Sequence, residues 1–565
     1  MEYSKLCEVY GALEGTSKGL EKTRILADFL GMIENEPELI YLLQGKVFAD
    51  YDKNELGLSG QLAIRAIARA YGLKDEDVVK KFKELGGLGK AAEDLARDKK
   101  QTALFSKKLD VEKVLQNLQK LPNLEGQGAV DKKISLVVEL LHSASPKEAR
   151  YVVRTVLGDL KVGVGRGILR DAIVEKCFSP KDIAEKKEFV EIVQGAYDKS
   201  TDFAEVFGKA CGGRDKLKSI ALSPGKPVKV MLFPKAKDVD DAFRIVGKPA
   251  AFEFKYDGFR VMVNKNEKGE ISIFTRRLDN VTRQFPDVVD YVEKHVKGDS
   301  FMIDCEAVGY NPETKVFQPF QYVSQRIKRK YDIEKLVKEL PIELTVFDII
   351  FYNGKNLISE RFEERRKLIK KIVKQEKWKI TLADQIVTGD KKKAEEFFER
   401  ALEEGQEGLM AKSLSAPYKP GARIGHAVKL KPDDNDFDLV ITGAEWGTGK
   451  RAGWLTSFDV ACRDSDELKD VGKVSTGLKE KEEEGLSFKE MTKKLKKLIT
   501  KEHGRKVDVK PEIVVTVLYQ NVQKSPTYSS GYALRFPRIK NLRPDRGKGD
   551  IATLGEVEED YEKQK

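Results

Sequence analysis

The hydrophobic pattern changes near residue 222, and this change constrains the fold more than any other feature of the chain. Up to that point apolar residues recur at helical spacing, as in Leu6, Val9, Tyr10 and Leu13. The segment LSPGKPVKVM at 222–231 contains two prolines and a glycine, which indicates a linker and a domain boundary. Short β-type runs follow, including ISIFTRR, SFMIDCEAVGY, IELTVFDIIFYNG and HAVKLK, with helical stretches at 359–375 and 391–404.

A second break is predicted at PDDNDFD, residues 432–438. About five short strands follow, and one helix interrupts them with Phe488, Met491, Leu495 and Leu498 on one face. A small β-barrel of the OB-fold type fits this pattern. We therefore expect three domains: an all-α domain at 1–222, an α+β domain at 223–432, and an OB-fold β-barrel with a C-terminal tail at 433–565.

The charge balance favours an anionic partner. Lys and Arg number 103 against 92 Asp and Glu, which gives a net charge of +11 and a pI of about 9.0. Nucleic acid is the commonest such partner, although a merely basic soluble protein fits the charge equally well. The five cysteines form no CxxC pair, so neither a zinc site nor a disulfide framework is expected. No signal peptide or long apolar run is visible, and we expect an intracellular protein without a membrane span.

A glycine-rich stretch lies near the end of the helical region. In VVRTVLGDLKVGVGRGILRDAI, residues 152–173, four glycines surround Lys161 and Arg166. Glycines let a backbone approach a partner closely, and basic side chains suit phosphates. The stretch fits either a phosphate contact or a plain helix–loop–helix connection, and spacing alone favours the plain connection.

The octapeptide EFKYDGFR, residues 253–260, presents a lysine in an unusual setting. Lys255 follows Phe252 and Phe254 on a probable strand and precedes a Tyr-Asp-Gly turn, with Arg260 five residues further on. An ordinary lysine is protonated at neutral pH, and a nucleophilic one needs burial or nearby cations that favour the free amine. The pattern fits a nucleophile at a strand end, and equally a surface lysine at a turn.

The motif KYDGFR resembles the KxDGxR motif of covalent nucleotidyltransferases, which include ATP-dependent DNA ligases, RNA ligases and mRNA-capping enzymes. Later stretches resemble the family's further motifs in the same order: FTRR, FMIDCEAV, VFDIIFYNG, EGLMAK, YKPGARIGHAVKLK and YSSGYALRFPRIKNLRPDR. The chain departs from the usual pattern at three positions. The family usually has glycine where this chain has Cys305, tryptophan where it has Ala427, and lysine where it has Arg546. The resemblance covers essentially the whole chain and is to the archaeal and eukaryotic replicative type of ATP-dependent DNA ligase.

This resemblance implies the sealing of nicks in double-stranded DNA, in replication, repair and recombination. Lys255 would form a lysyl-AMP with ATP and pass the AMP to the 5′-phosphate, from which the 3′-hydroxyl displaces it. Mg²⁺, or alternatively Mn²⁺, would be held by Glu306 and Glu407. Other residues would bind the nucleotide, with Glu253 accepting from the adenine amino group and Phe347 stacking on the ring: Glu253, Arg260, Arg276, Glu306, Phe347, Arg423, Lys429, Lys431, Arg543 and Asp545.

The same resemblance implies partners and a location. Lys161 and Arg166 would contact the DNA, and Arg543 and Asp545 would face the pyrophosphate of ATP in the first step. A monomer in the cytoplasm, associated with the nucleoid, is expected, and a sliding clamp is a candidate partner.

Other interpretations remain open at this point. An mRNA-capping guanylyltransferase shares the lysine and the barrel, an RNA ligase shares the chemistry, and a DNA-binding scaffold could retain an inactive adenylation fold. Individual residues also have simpler explanations: Phe347 as a core residue, Glu306 and Glu407 as solvated acids, Arg423 as a loop cation, and Lys412, Lys429 and Lys431 as a general basic face.

Overall fold

The computed structural model describes residues 1–52, 54, 56–97, 108–318, 320–327, 329, 332–421, 425–432, 435–447, 451, 453–480, 483 and 486–563. These residues form two compact units, Met1–Lys431 and Pro432–Lys565. Within the described ranges, no helix is both long enough and apolar enough to pass through a bilayer.

The first part of the larger unit is helical, as predicted. Its α-helices are Tyr3–Gly15 (α1), Gly19–Leu30 (α2), Gly60–Tyr71 (α3), Asp75–Leu85 (α4), Leu88–Arg97 (α5), Val111–Lys120 (α6), Ala129–Ser143 (α7), Pro146–Val156 (α8), Arg166–Phe178 (α9), Ile183–Ser200 (α10), Phe203–Cys211 (α11) and Arg214–Lys218 (α12), with 3₁₀ helices at Pro37–Gln44 and Leu121–Asn123.

Local sequence signals explain where these helices begin. At α8 the Ser145 hydroxyl accepts from the backbone N–H of Glu148, and the Glu148 carboxylate accepts from the backbone N–H of Ser145, which completes a capping box ahead of Pro146. The apolar positions of each helix face one continuous core, to which α1 contributes Leu6 and Tyr10. The helical periodicity of the sequence therefore corresponds to a single packed helical body.

The segment 222–231 was expected to be a linker, and the structure shows it packed. Leu222, Val228 and Met231 are buried in a cluster with residues of the following β region. Lys226 forms an ion pair with Glu205, 2.7 Å between Nζ and Oε2. Prolines and a glycine interrupt the regular elements here, and the apolar residues between them bury the segment against the β region.

The second part of the larger unit contains two antiparallel sheets. Strands Ala250–Phe254 (β1), Gln385–Thr388 (β9), Leu409–Ser413 (β10) and Ala427–Leu430 (β11) form sheet A, in the order β11-β10-β1-β9. Sheet B has the order β3-β2-β4-β6-β7, with β5 beside β4 and β8 parallel to β6: Phe259–Lys265 (β2), Ile271–Thr275 (β3), Phe301–Tyr310 (β4), Phe317–Gln318 (β5), Ile342–Tyr352 (β6), Lys355–Asn356 (β7) and Ile380–Leu382 (β8).

Helices surround these sheets, and the two predicted helical stretches at 359–375 and 391–404 are confirmed as α17 and α18. The helices are Val239–Val246 (α13), Pro286–His295 (α14), Phe320–Ile327 (α15), Ile333–Glu339 (α16), Phe362–Ile372 (α17) and Lys391–Glu403 (α18), with a 3₁₀ turn at Thr282–Gln284. Each sheet has its own apolar cluster, so the residues between the two sheets can be polar without disturbing either core.

The smaller unit is built mainly from antiparallel strands. These are Asn435–Trp446 (β12), Leu455–Asp464 (β13), Glu467–Val474 (β14), Ile499–His503 (β15), Lys506–Val509 (β16), Val514–Tyr519 (β17), Val522–Lys524 (β18), Tyr532–Leu534 (β19) and Arg538–Leu542 (β20), with helices Phe488–Leu495 (α19) and Leu554–Glu562 (α20).

The predicted break at 432–438 was too long, because β12 begins at Asn435 and pairs with β17 from Asn435 opposite Tyr519. Alternation of Asp436, Phe437 and Asp438 suits a strand with one polar face. The C-terminal tail contains the helix α20, anchored by the buried Val557.

Candidate active site

Lys255 lies where the chain passes from sheet A to sheet B. It directly follows β1, and its backbone N–H donates to the Gly408 carbonyl at 2.8 Å. The Glu407 N–H in turn donates to the Lys255 carbonyl at 2.8 Å. After a short turn the chain enters β2 at Phe259. The ladder between β1 and β10 therefore fixes the backbones of Lys255 and Glu407 beside each other.

Two glycines permit this close approach. A Cβ on Gly258 would lie 2.4 Å from the Ala307 carbonyl oxygen, and one on Gly408 would lie 2.3 Å from the Leu430 oxygen. Gly408 also has a φ of 128°, which disfavours any residue with a side chain. The glycines in KYDG and EG are thus explained by backbone crowding around the lysine.

The Glu407 carboxylate contacts two lysines. Its Oε2 lies 2.5 Å from Lys255 Nζ and 2.5 Å from Lys431 Nζ. Burial would raise the pKa of Glu407, but the charges of Lys255 and Lys431 outweigh it and hold the pKa well below its ordinary value. The sequence predicts cations around Lys255, and the structure adds an acidic side chain in direct contact with its ammonium group.

Glu306 lies on β4, in cross-strand register with Arg260 of β2. Burial raises the pKa of Glu306 to about 8; the charge of Lys255 opposes this rise and that of Glu407 adds to it. Among the described residues, no side chain forms a hydrogen bond or ion pair with the Glu306 carboxylate. Glu306 and Glu407 therefore lie within electrostatic range of the same lysine, from different sheets.

Arg260 is held by two side chains that sequence reasoning missed. Its Nε and Nη2 bind the two carboxylate oxygens of Asp304, at 2.8 and 2.5 Å, and Nη1 donates to the Met231 carbonyl at 2.9 Å. The Tyr418 hydroxyl donates to the same carboxylate at 2.9 Å. Asp304 is completely buried, and it lies on the same face of β4 as Glu306, two residues away. That alternation within FMIDCEAV could have indicated it.

Glu253 has three polar neighbours. Its Oε2 lies 2.5 Å from Lys412 Nζ, and its Oε1 accepts from Gln385 Nε2 at 2.9 Å and lies 3.6 Å from Arg366. Glu253 is only 1% exposed, and a buried carboxylate needs such partners. Glu253, the predicted acceptor for adenine, is therefore already bound by protein donors, and Lys412 makes the shortest of these contacts.

The ring of Phe347 has cations beside it. Lys412 Nζ lies 4.8 Å and the Arg260 guanidinium carbon 5.3 Å from the ring centroid. Phe347 is partly exposed within β6, whereas its neighbours Val346 and Asp348 are buried. Such exposure distinguishes Phe347 from an ordinary core residue of the strand.

The remaining residues predicted to bind phosphate are Arg276, Arg423, Lys429 and Lys431. Lys429 lies on β11, and burial, followed by the charges of Lys255, Arg276 and Lys431, lowers its pKa. Arg276 is exposed just after β3 and close enough to Lys429 to act on that pKa. Arg423 lies outside the described residues. Lys255, Lys429 and Lys431 are thus a group of cations around a single carboxylate.

The predicted C-terminal residues form a cluster within the smaller unit. Arg543 binds both oxygens of Asp545, at 3.0 and 2.7 Å, and also Asp438 at 2.7 Å, to which Arg546 is bound as well. Hydrogen bonds from Arg543 hold the pKa of Asp545 at about 2. These side chains, Asp545 apart, line a polar cavity of about 440 Å³ that also includes Lys540.

The glycine-rich stretch is a loop between α8 and α9. Lys161 has a φ of 57°, is 69% exposed and pairs with Asp159 at 2.7 Å. Arg166 begins α9 and pairs with Asp50 at 2.7 Å. The stretch is thus a helix–loop–helix connection in which the Lys161 side chain is accessible.

Three family models match the chain along its length. They are described as DNA ligase N terminus at residues 2–174, ATP dependent DNA ligase domain at 230–431, and ATP dependent DNA ligase C terminal region at 451–546. The DNA ligase of Nanoarchaeum equitans is 46% identical, covering 100% of this chain and 99% of that protein. The DNA ligase of Thermococcus fumicolans is 41% identical, covering 99% and 98%.

A solved structure called Pmar-Lig_PreS3 shares the fold, with a TM-score of 0.53 at 17% identity over 95% of this chain and 99% of that one. Together with the full-length relatives, the family models show that the chain belongs to the ATP-dependent DNA ligases. Within that family it is a DNA ligase of the archaeal type.

Proposed function

We propose that this ligase forms its lysyl-AMP intermediate on Lys255 and seals nicks in double-stranded DNA. The supporting observation is the position of Lys255 between the two sheets, bound to Glu407 and grouped with Lys429 and Lys431. A triphosphate carries several negative charges, and this group of cations is where the unit offers a lysine nucleophile beside phosphate-binding side chains.

The chemistry uses Lys255 as nucleophile. Its Nζ attacks the α-phosphorus of ATP, a P–N bond forms, and the P–O bond to pyrophosphate breaks. The Lys255 ammonium group must lose a proton to solvent before this attack, and the ionised Glu407 carboxylate in contact with it orients the amine. Lys429 and Lys431 stabilise the negative charge on the phosphoryl oxygens. AMP then passes to the 5′-phosphate at the nick, and the 3′-hydroxyl displaces it.

Glu306 and Glu407 fit a divalent metal ion. Among the described residues, no three acidic, histidine or cysteine side chains form a metal-binding cluster, and Mg²⁺ commonly uses one or two carboxylates together with phosphate oxygens. The Glu306 carboxylate is unpaired within the described part of the chain and lies within electrostatic range of Glu407. Bound Mg²⁺, or Mn²⁺, would neutralise charge on the triphosphate.

We assign the adenine end of the nucleotide to Glu253 and Phe347. The partly exposed Phe347 ring offers a stacking face. Glu253 would accept from the adenine amino group; Lys412 orients its Oε2 and Gln385 its Oε1. Arg260, Arg276 and Arg423 are assigned to the ribose and phosphates, and Arg543 and Asp545 to the pyrophosphate.

We assign a role to each of the three predicted domains, and DNA binding to the first. Residues 1–222 form the proposed DNA-binding domain, in which Lys161 and Arg166 contact phosphates, 223–432 the adenylation domain, and 433–565 an OB-fold domain. We expect a monomer associated with the nucleoid, and a sliding clamp as a candidate protein partner.

Incubation with α-labelled ATP and Mg²⁺ tests the assignment of Lys255. The wild type should become labelled on the peptide that contains Lys255, and labelled GTP should give no adduct. Lys255→Ala should abolish the label while leaving affinity for nicked DNA within about twofold of the wild type. Lys268→Ala, which removes an exposed lysine at the turn before β3, is the matched control and should be labelled normally. A label on another side chain, or a labelled Lys255→Ala protein, would refute the assignment.

A further inference from the structure

Two of the five cysteines are in contact. Cys177 lies at the end of α9 and Cys211 is the last residue of α11, and their Sγ atoms are 3.6 Å apart. The other three cysteines, Cys7, Cys305 and Cys462, are buried in separate apolar clusters. A contact between two thiols that come from different helices, 34 residues apart in the chain, is not produced by local sequence.

The geometry points to an intramolecular disulfide between Cys177 and Cys211. A disulfide requires the sulfur atoms to approach to about 2.05 Å, and an existing contact leaves a movement of about 1.5 Å to be shared by two side chains. Both residues lie in the last turn of their helices, where backbone adjustment is least costly. The disulfide can therefore form without a change in the interior of either helix.

Access to the pair is asymmetric, which defines the order of the reaction. Cys211 is exposed and Cys177 is partly buried. With a small-molecule disulfide as oxidant, the Cys211 thiolate attacks one oxidant sulfur and releases the first thiolate. The Cys177 thiolate then attacks the Cys211 sulfur and releases the second. One S–S bond is broken, one is formed, and two protein protons are lost.

The surroundings of the pair affect the rate of this exchange. Burial raises the pKa of both the Cys177 and the Cys211 thiols; Glu34 also raises them and Lys176 lowers them. Lys176 and Glu34 are bound to each other at 2.7 Å, so their charges largely cancel at the thiols. Oxidation should accordingly be faster in alkaline buffer, where more thiolate is present.

The crosslink would close a loop that contains all of α10. Such a loop restricts the unfolded chain and stabilises the folded helical region. Because α9 also begins with Arg166, the crosslink ties down the helix that follows the glycine-rich loop at its far end. This inference concerns stability and is independent of the roles proposed for Lys255 and Lys161.

Oxidation of the full-length protein with oxidised glutathione tests the proposal. The expected product is a monomer with three of its five thiols still free and a mass lower by about 2 Da. After trypsin digestion under non-reducing conditions, the peptide CFSPK, residues 177–181, should be joined to ACGGR, residues 210–214. The oxidised protein should unfold at a temperature about 5 °C or more above that of the reduced protein.

Variants separate this reaction from unspecific oxidation. Cys177→Ser should instead keep one glutathione on Cys211, a mass gain of about 305 Da, because the resolving thiol is absent. Its melting temperature should be unaffected by oxidation. Five free thiols in the oxidised wild type, a stable glutathione adduct on wild-type Cys211, or a disulfide that involves any other cysteine would overturn the proposal.

Discussion

Replacement of Asp304 by asparagine should destabilise the larger unit more than any other single change at the site. Asp304 is completely buried and binds Arg260 through both carboxylate oxygens. In Asp304→Asn an NH2 group replaces one carboxylate oxygen and points its N–H bonds at the Arg260 guanidinium. The largely buried positive charge of Arg260 is then left without its counterion. Loss of one partner from a buried ion pair costs about 3–5 kcal/mol.

The matched variant is Tyr418→Phe, which keeps the ion pair. It removes only the hydroxyl that donates to Asp304 at 2.9 Å. A hydrogen bond to a charged group contributes about 1.5–3 kcal/mol, so Tyr418→Phe should lower the free energy of unfolding less than Asp304→Asn does. The difference between the variants isolates the counterion role of Asp304.

Urea unfolding followed by circular dichroism measures both free energies, provided that the dependence on urea concentration is unchanged. Labelling with α-labelled ATP gives a second reading, since an Arg260 that has lost its carboxylate no longer holds its position beside Phe347. If Asp304→Asn costs less than about 1 kcal/mol, or less than Tyr418→Phe, the buried pair is not what positions Arg260.

Three further predictions follow from the structure. Gly258→Ala should lower the free energy of unfolding by about 1–3 kcal/mol, because its Cβ would meet the Ala307 carbonyl; Gly195→Ala, in open space within α10, should be neutral or stabilising in the same urea experiment. Lys161→Ala should weaken DNA binding, measured by fluorescence anisotropy, and reduce the slope of log affinity against log salt by about 1 without altering self-adenylylation. Asp159→Ala, which removes the partner of Lys161, should strengthen binding. Equal salt slopes for Lys161→Ala and the wild type would exclude the loop from the interface. Glu407→Gln should slow lysyl-AMP formation by about 100-fold and raise the Mg²⁺ concentration needed for half-maximal labelling, and an unchanged Mg²⁺ dependence would exclude Glu407 as a metal ligand.

Much of the fold was accessible from periodicity alone. The helical spacing before residue 222 and the helices α17 and α18 were predicted, because amphipathic patterns depend on neighbours within one or two turns. Segments with mixed signals were less predictable. The prolines of 222–231 suggested a linker, and only the buried positions of Val228 and Met231 show that the segment packs.

The residues of the candidate site were likewise predicted only in part. Motif order selected Lys255 and its surrounding charged residues, but Asp304 and Tyr418 were missed although both lie inside quoted motifs. Their hydrogen bond joins residues 114 positions apart. A short-range sequence pattern does not indicate which loop will contact which strand.

The sequence by itself determined the kinds of side chain available and the elements that display them, since both depend on composition and short-range spacing. The tertiary structure decided which charges meet: Glu407 with Lys255 and Lys431, Glu253 with Lys412, and Arg260 with Asp304. Electrostatic energies depend on distance and on burial, and both quantities exist only after separate sheets have packed around a shared site.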